Sequence, residues 1–306
     1  MDCRRVNLFI GEPNVGKSNI LEAFTLLNKN DDLTDFMRFD HVSQLFFDFD
    51  TSKSIEIQAD EYKSKAWIQY DEFRIESIKM GQPSPFLVNT NLHGKLNSSS
   101  YNDEIIKSIP KVRFYKFKAD VNLAKSEHSF LKPPFGSNLG SVVMSIKELR
   151  TQIQNLLEGL DYKLLFKPDD GTFGIYKEQD GFSILFPISL VSDTVKRMIF
   201  YLSAISSNQN VTVLFEEPES NTFPYYIKYL AERIAKYSDN QYFITTHNPY
   251  FFLNIIEKTP LDELTVNVVR MEHYQTNVRQ LGVKGIEEAL NLNTDVFLNF
   301  DKLFEA

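Results

Sequence analysis

Gly11-Glu12-Pro13-Asn14-Val15-Gly16-Lys17-Ser18 is a complete G-x-x-x-x-G-K-S, and its flanks decide how it folds. Ahead of it Val6-Asn7-Leu8-Phe9-Ile10 is an apolar run that reads as a buried strand. Behind it Ile20, Ala23, Phe24 and Leu27 recur at the spacing of an amphipathic helix. A glycine-rich turn between strand and helix lets backbone N–H groups curl around an anion, and the helix N-terminus adds partial positive charge. In such a turn Lys17 reaches the β- and γ-phosphates and the Ser18 hydroxyl ligates Mg²⁺. Gly11 and Gly16 supply conformations and close approaches that a side chain obstructs. Asn14 and Asn19, inside and just behind the turn, count with them as nucleotide contacts. The expected ligand is a nucleoside triphosphate, ATP, with Mg²⁺.

Composition sets outer limits. In 306 residues, 42% hydrophobic and 13% aromatic is ample for a packed core and argues against disorder. A net charge of −8 gives no global attraction to nucleic acid or to an anionic membrane, so any such contact needs a local patch. The lone Cys3 cannot form an internal disulfide or a zinc cluster, which fits a reducing cytoplasm. No apolar run approaches the roughly 18 residues of a membrane span. The N-terminus runs straight into the first strand and leaves no room for a signal peptide.

Outward from the glycine turn the periodicity changes twice. From about 41 to 118 short, alternating, aromatic-rich segments predict half-buried antiparallel strands, among them 44–49, 54–58, 65–70 and 112–117. Residues 80–102, rich in Gly, Pro, Ser and Asn, predict a long surface loop. Ile146, Leu149, Ile153, Leu156, Leu157 and Leu160 mark a helix ending near Gly159, and a hairpin follows around Asp169-Asp170-Gly171. From about 185 helix and strand alternate again. Val195, Met198, Ile199 and Leu202 stripe one helix and Ile227, Leu230, Ala231 and Ile234 another. Strands are expected at 211–215, 241–246 and 264–271, with a helical tail from Ile286. The expected architecture is therefore one α/β domain built from 1–40 and 185–306, with an antiparallel β and helical lobe inserted at about 41–184.

A phosphate turn needs a partner that holds the metal and orients water. Val211 to Phe215 leads into Glu216-Glu217 at the carboxyl end of a strand, where ligands gather in a parallel sheet. By position Glu216 joins the Mg²⁺ shell and Glu217 is the base that polarises the attacking water. The next strand ends in Thr245-Thr246-His247-Asn248-Pro249, and a histidine there can donate to the γ-phosphate and sense it. Ser192 or Asp193 reads as the N-cap of the Val195 helix, whose N-terminus can also press on a phosphate bound by a second subunit.

Together Gly11–Ser18, Ser192-Asp193-Thr194, Phe215-Glu216-Glu217-Pro218-Glu219-Ser220 and Thr245–Pro249 resemble the ABC-type P-loop ATPase heads of the SMC, RecF and OLD (overcoming lysogenisation defect) group. The likeness is greatest to small bacterial AAA-type ATPases encoded in antiphage defence loci beside a separate effector. It covers the first 30 residues and most of 185–255. It implies ATP hydrolysis with Glu217 and His247 catalytic, Ser192 acting across a head-to-tail dimer, and Gln44 as the metal-sensing glutamine. Three departures stand out: Asp193-Thr194 replace the glycines that follow the signature serine, Glu216 stands where many such heads have Asp, and the chain starts almost on the strand before the glycine turn. For the last, either Met1 is a late start or a neighbouring strand completes the sheet. About sixty residues remain after His247, too few for the Toprim nuclease domain of OLD proteins, and no long heptad arm is present.

The implied function is an ATP-gated homodimer or higher oligomer, the regulatory or sensor subunit of an antiphage system whose effector is a separate nuclease or toxin. Two alternatives are a RecF-like repair or replication factor and a scaffold that binds ATP without hydrolysing it. The DNA-loading alternative draws on Lys107, Lys111, Arg113, Lys116 and Lys118, interleaved with Phe114, Tyr115 and Phe117, though an ordinary strand with solvated lysines accounts for the same pattern.

Overall fold

The computed structural model describes the chain except residues 29, 31, 83, 101–109, 168, 170, 237–238 and 306, with the backbone alone at 301, 304 and 305. In chain order the strands are β1 (Val6–Gly11), β2 (Ile55–Ala59), β3 (Tyr62–Gln69), β4 (Glu72–Lys79), β5 (Phe86–Asn91), β6 (Leu96–Ser100) and β7 (Val112–Tyr115), then β8 (Lys163–Lys167), β9 (Thr172–Gln179), β10 (Phe182–Pro187), β11 (Thr212–Glu216), β12 (Gln241–Thr245), β13 (Leu264–Glu272) and β14 (Gln275–Gln280). The α-helices are α1 (Lys17–Ala23), α2 (Leu139–Ser145), α3 (Lys147–Glu158), α4 (Asp193–Ser207), α5 (Pro224–Lys236), α6 (Pro249–Lys258), α7 (Val283–Leu292) and α8 (Phe300–Glu305). The contacts divide them into two compact units, 1–15 with 115–306, and 16–114.

The first unit is built on a mainly parallel sheet. Its strands run in the order β14-β13-β1-β12-β11, and beyond β11 lies β7, whose last residue, Tyr115, belongs to this unit. β1 pairs in parallel with both β12 and β13, β11 pairs in parallel with β12, and β14 pairs antiparallel with β13. Parallel strands are covered on both faces, so their sequences are continuously apolar rather than alternating. All six residues of β1 are buried, which explains why 6–10 reads as one apolar run. The polar member of that run, Asn7, is fully buried and sews strands together. Its Nδ2 donates to the carbonyls of Arg4 and Tyr242, and its Oδ1 accepts from Arg4 N–H. A buried amide is tolerated only when it is satisfied in this way.

Helices bury their stripes against this sheet. α4 buries Val195, Met198, Ile199 and Leu202 as its spacing predicts, and α5 buries Ile227, Leu230, Ala231 and Ile234. α6 starts on Pro249, preceded by an Asn248 cap whose side chain accepts from Phe251 N–H at 3.1 Å. A small antiparallel sheet, β10-β9-β8, contains the hairpin expected around Gly171. Asp170, named with that turn, lies outside the described residues. Helix α2 abuts the hairpin turn so closely that a Cβ on Gly140 would stand 1.9 Å from the Gly171 carbonyl oxygen.

The second unit holds α1 and a five-stranded antiparallel meander in the order β2-β3-β4-β5-β6. Its core includes Leu21, Leu26, Leu27, Phe73, Ile75, Phe86 and Val88. Ser64 and Ser77, buried on β3 and β4, both donate to the Leu26 carbonyl left unsatisfied where the first helix ends. Helix α1 stops at Ala23 and tightens into a 3₁₀ turn over Phe24–Leu27, so its buried face is Leu21, Leu26 and Leu27 rather than the Ile20–Ala23–Phe24 stripe.

Two expectations are overturned here. Residues 44–49 form 3₁₀ turns, Val42–Leu45 and Phe47–Phe49, not a strand. Asp48 and Phe49 take φ of 50° and 58°, which breaks any extended pairing, and Phe47 and Phe49 face solvent. Residues 80–102 are not one long loop, because β5 and β6 pair within that span. Phe86, Val88 and Thr90 alternate inward on β5, a period of two that the surrounding Gly, Pro and Ser obscure.

Candidate active site

Parallel pairing of β1, β12 and β11 puts their carboxyl ends on one edge of the first unit's sheet. β1 delivers the glycine turn there. A Cβ on Gly11 would lie 2.2 Å from the Val269 carbonyl oxygen of β13, so no other residue fits. Asn14 takes φ 62°, the left-handed conformation that Asn accepts more readily than most residues. The Val15 carbonyl accepts from Thr276 Oγ1 at 2.9 Å, so β14 braces the loop from outside. In the second unit Gly16, at φ 95°, forms the N-cap of α1 and its carbonyl accepts from Ile20 N–H. Lys17 follows as the first helical residue and is 5% exposed. Ser18 is half-buried and Asn19 exposed.

At the end of β11 Glu216 faces Lys116, whose Nζ lies 3.9 Å from its Oε2. Glu217 then leaves the strand with φ 42°, a strained conformation for a residue with a Cβ. The strain is held in place by bonds on every side. Its N–H donates to the Thr245 carbonyl and to Thr245 Oγ1. His247 Nε2 donates to Glu217 Oε1 at 2.6 Å, and Ser220 Oγ donates to Oε2 at 3.2 Å. Both Glu217 and His247 remain 37% exposed, so the pair is fixed yet reachable from solvent. Behind it Glu219 is 3% exposed and accepts from Thr246 Oγ1. Burial pushes its carboxyl up to about 7.

The structure thus gathers Gly11, Asn14, Glu216, Glu217 and His247 within the first unit, while Gly16, Lys17, Ser18, Asn19 and Gln44 belong to the second. Ser192 is the exposed N-cap of α4, and its side chain makes no capping bond. Asp193 is held below its usual range by its hydrogen bond with Lys196, at 2.8 Å. Thr194 Oγ1 donates to the Asn221 carbonyl, tying the first turn of α4 to the turn that follows the acidic pair. The Gln44 side-chain Oε1 caps its own 3₁₀ turn, accepting from Asp40 and His41 N–H groups.

The basic, aromatic stretch before position 118 is arranged differently from a base-stacking platform. Phe114 and Tyr115 are buried, and Tyr115 O–H donates to the Leu131 carbonyl. The Arg197 guanidinium covers the Phe117 ring at 4.4 Å, and Lys116 faces Glu216. Lys107 lies outside the described residues. Sequence reasoning gives no role to Lys116 at this edge, nor to Ser220, Thr245 and Thr246, although the last three stand inside motifs already quoted. Their signal is the register that sets β11 beside β12.

ATP and Mg²⁺ fit these residues. The turn has room only for backbone at Gly11, and within the first unit the Glu216 carboxylate is the hard oxygen donor that Mg²⁺ takes. Among the described residues no group of three His, Cys, Asp or Glu forms a metal cluster of protein ligands alone. Mg²⁺ commonly binds one or two protein oxygens with phosphate and water completing the shell.

Fold comparison defines the class. The chain is similar to an SMC head bound to the C-winged helix domain of ScpA, at 15% identity and TM-score 0.51, covering 93% of this chain and 92% of that one. It is also similar to the Pyrococcus furiosus Smc head domain with an extended coiled coil, bound to the C-terminal domain of ScpA, at 13% identity and TM-score 0.51, covering 94% and 92%. The fold is therefore the α/β P-loop NTPase fold of ABC-type ATPase heads. By its sequence the chain belongs to the family described as "AAA domain, putative AbiEii toxin, Type IV TA system", whose model matches residues 6–254. No curated protein matches it. Among the described residues no helix is long and apolar enough to cross a membrane.

Proposed function

We propose that this chain binds Mg²⁺-ATP and hydrolyses it to ADP and phosphate, as one ATPase head formed from 1–40 and 185–306 with 41–184 as its lobe. It works in the cytoplasm as an ATP-dependent homodimer or higher oligomer, the regulatory or sensor subunit of an OLD-like antiphage system that acts through a separate effector. The observation that carries the reading is Glu217, a glutamate at the end of a central parallel strand whose two carboxylate oxygens are pinned by His247 and Ser220.

In this reading Gly11, Asn14, Gly16 and Asn19 shape the phosphate turn, Lys17 neutralises phosphate charge, and Ser18 and Glu216 hold the metal. Bound Mg²⁺ supplies charge neutralisation at the β- and γ-phosphates. Gln44 can join that shell only after releasing the two backbone N–H groups it caps. A carboxylate has about four lone-pair sites. On Glu217 the His247 and Ser220 donors fix the orientation of the carboxylate, which polarises an incoming water and accepts its proton. His247, oriented by Glu217, answers the γ-phosphate. Ser192, exposed and uncapped, is presented to the nucleotide of a second copy, a contact supported by the Thr194–Asn221 bond that links its helix to the hydrolytic turn.

The defence role is supported by the family's description, which names a toxin of a type IV TA system. The DNA-loading alternative has less behind it, since Phe114 and Tyr115 are buried and the Arg197 guanidinium covers the Phe117 ring. Steady-state phosphate release with Mg²⁺-ATP tests hydrolysis, and Lys17→Ala should abolish nucleotide affinity. Glu217→Gln should stop turnover and accumulate an ATP-bound oligomer on size exclusion with light scattering. An unchanged mass with and without ATP refutes the dimer clamp. Phage challenge of cells carrying the chain with its genomic neighbours, against the Glu217→Gln form, tests the biological role.

A further inference from the structure

Glu219 takes no part in the chemistry above, yet it stands directly behind it. Its Oε1 accepts from Thr246 Oγ1, and its Oε2 is buried with no hydrogen-bond partner. Thr246 Oγ1 in turn accepts from Asn248 N–H at 3.0 Å. Two side-chain links therefore join the turn after β11 to the turn after β12. One is the Glu217–His247 pair that faces solvent, and the other is the Glu219–Thr246 pair buried beneath it. Glu217 lies two residues before Glu219, and His247 one residue after Thr246.

We infer that Glu219 is a positioning residue: by holding Thr246 it sets where His247 stands against Glu217. The bond itself does not depend on hydrolysis, but its consequence for turnover rests on the ATPase reading. Burial, reinforced by the Glu217 charge, pushes the Glu219 carboxyl up to about 7, against the opposing hydrogen bond from Thr246 and the backbone N–H groups. The titratable groups around it are Glu217 on its own turn, His247 on the neighbouring turn, and Tyr201 of α4. The Tyr201 phenol is fully buried within electrostatic reach of Glu219, Glu216 and Arg197. Neutral, Glu219 keeps the two turns clamped. Ionised, it sets a second negative charge beside Glu217 with Oε2 unanswered, and the turns part to hydrate it.

Three variants test this with two readouts on the full chain. Glu219→Gln keeps an acceptor for Thr246 and cannot ionise, whereas Glu219→Ala and Thr246→Val each remove the link. The first readout is the NMR titration of the His247 ring without nucleotide. Wild type should show an inflection from Glu219 near neutrality, Glu219→Gln should lose it, and the other two should give the signals of a mobile, solvated imidazole. The second is phosphate release. Glu219→Ala and Thr246→Val should lower kcat roughly ten-fold with KM for Mg²⁺-ATP nearly unchanged, while Glu219→Gln keeps kcat and carries it to higher pH than wild type. Variants that remain folded by circular dichroism and leave both the imidazole titration and the pH profile unmoved overturn the inference. If wild type itself shows no turnover, the ATPase reading falls, and the imidazole titration alone decides for or against Glu219.

Discussion

Glu219→Gln also makes a quantitative prediction about folding that needs no nucleotide. The carboxyl sits at about 7 in the folded chain against 4.5 for a free glutamate side chain, because burial penalises its charge. The sign follows from which state holds the proton. Between those two values the unfolded chain has ionised Glu219 and the folded chain has not, so the folded state binds more protons and stability falls as pH rises. Above pH 7 the loss is complete, and each pKa unit corresponds to about 1.4 kcal/mol, so the cost is on the order of 3 kcal/mol. Glutamine cannot ionise and escapes it. The stability of Glu219→Gln minus that of wild type should therefore be near zero below pH 4.5, climb between pH 4.5 and 7, and level off at about 3 kcal/mol above it. All other titrations are common to the two proteins and cancel in the difference. Urea unfolding followed by circular dichroism across pH 4.5 to 8 measures the difference directly. Curves that stay parallel over that range would falsify the assignment of a neutral Glu219 and the burial argument behind it.

Gly11→Ala places a Cβ against the Val269 carbonyl oxygen, so it should cost about 1–3 kcal/mol and weaken ATP binding at least as sharply, read by calorimetry and unfolding together. Ser220→Ala removes the donor to Glu217 Oε2; a hydrogen bond contributes about 1 kcal/mol, so kcat should fall about five-fold with little change in Tm. Gly140→Ala serves as the contrasting case, since its Cβ would strike the Gly171 carbonyl oxygen away from the sheet edge. It should lower stability by a comparable 1–3 kcal/mol while nucleotide affinity per folded molecule stays unchanged.

The parts of this fold that are legible in the sequence are those where burial is two-sided. β1, β11 and β12 carry nearly continuous apolar runs because parallel strands have no wet face, and the helices between them keep clear 3.6-residue stripes. Half-buried elements are harder. In β5 only Phe86, Val88 and Thr90 turn inward, and the turn-forming residues around them dominate the local composition. At 44–49 the reverse holds, as an aromatic alternation that suggests a strand includes Phe47 and Phe49 in solvent. At the site, Glu216, Glu217 and His247 declare themselves as strand-end residues, but their partners do not. Ser220, Thr246 and Lys116 acquire a role only once β11 stands beside β12 and the chain returns past Glu216 at position 116, facts of tertiary register that no local window contains. Gln44 is a further case, since the capping bonds its side chain accepts from Asp40 and His41 N–H groups belong to a local 3₁₀ turn that no motif announces.

Glu217 carries one more implication through its backbone. A glutamate at φ 42° occupies a conformation that glycine enters freely, at a cost of about 1–2 kcal/mol relative to a right-handed residue. Drift unopposed by selection would replace it with glycine or asparagine and leave a sturdier protein. Under the hydrolytic reading, copies of this fold that have lost the chemistry should be recognisable by glycine or asparagine at this one position.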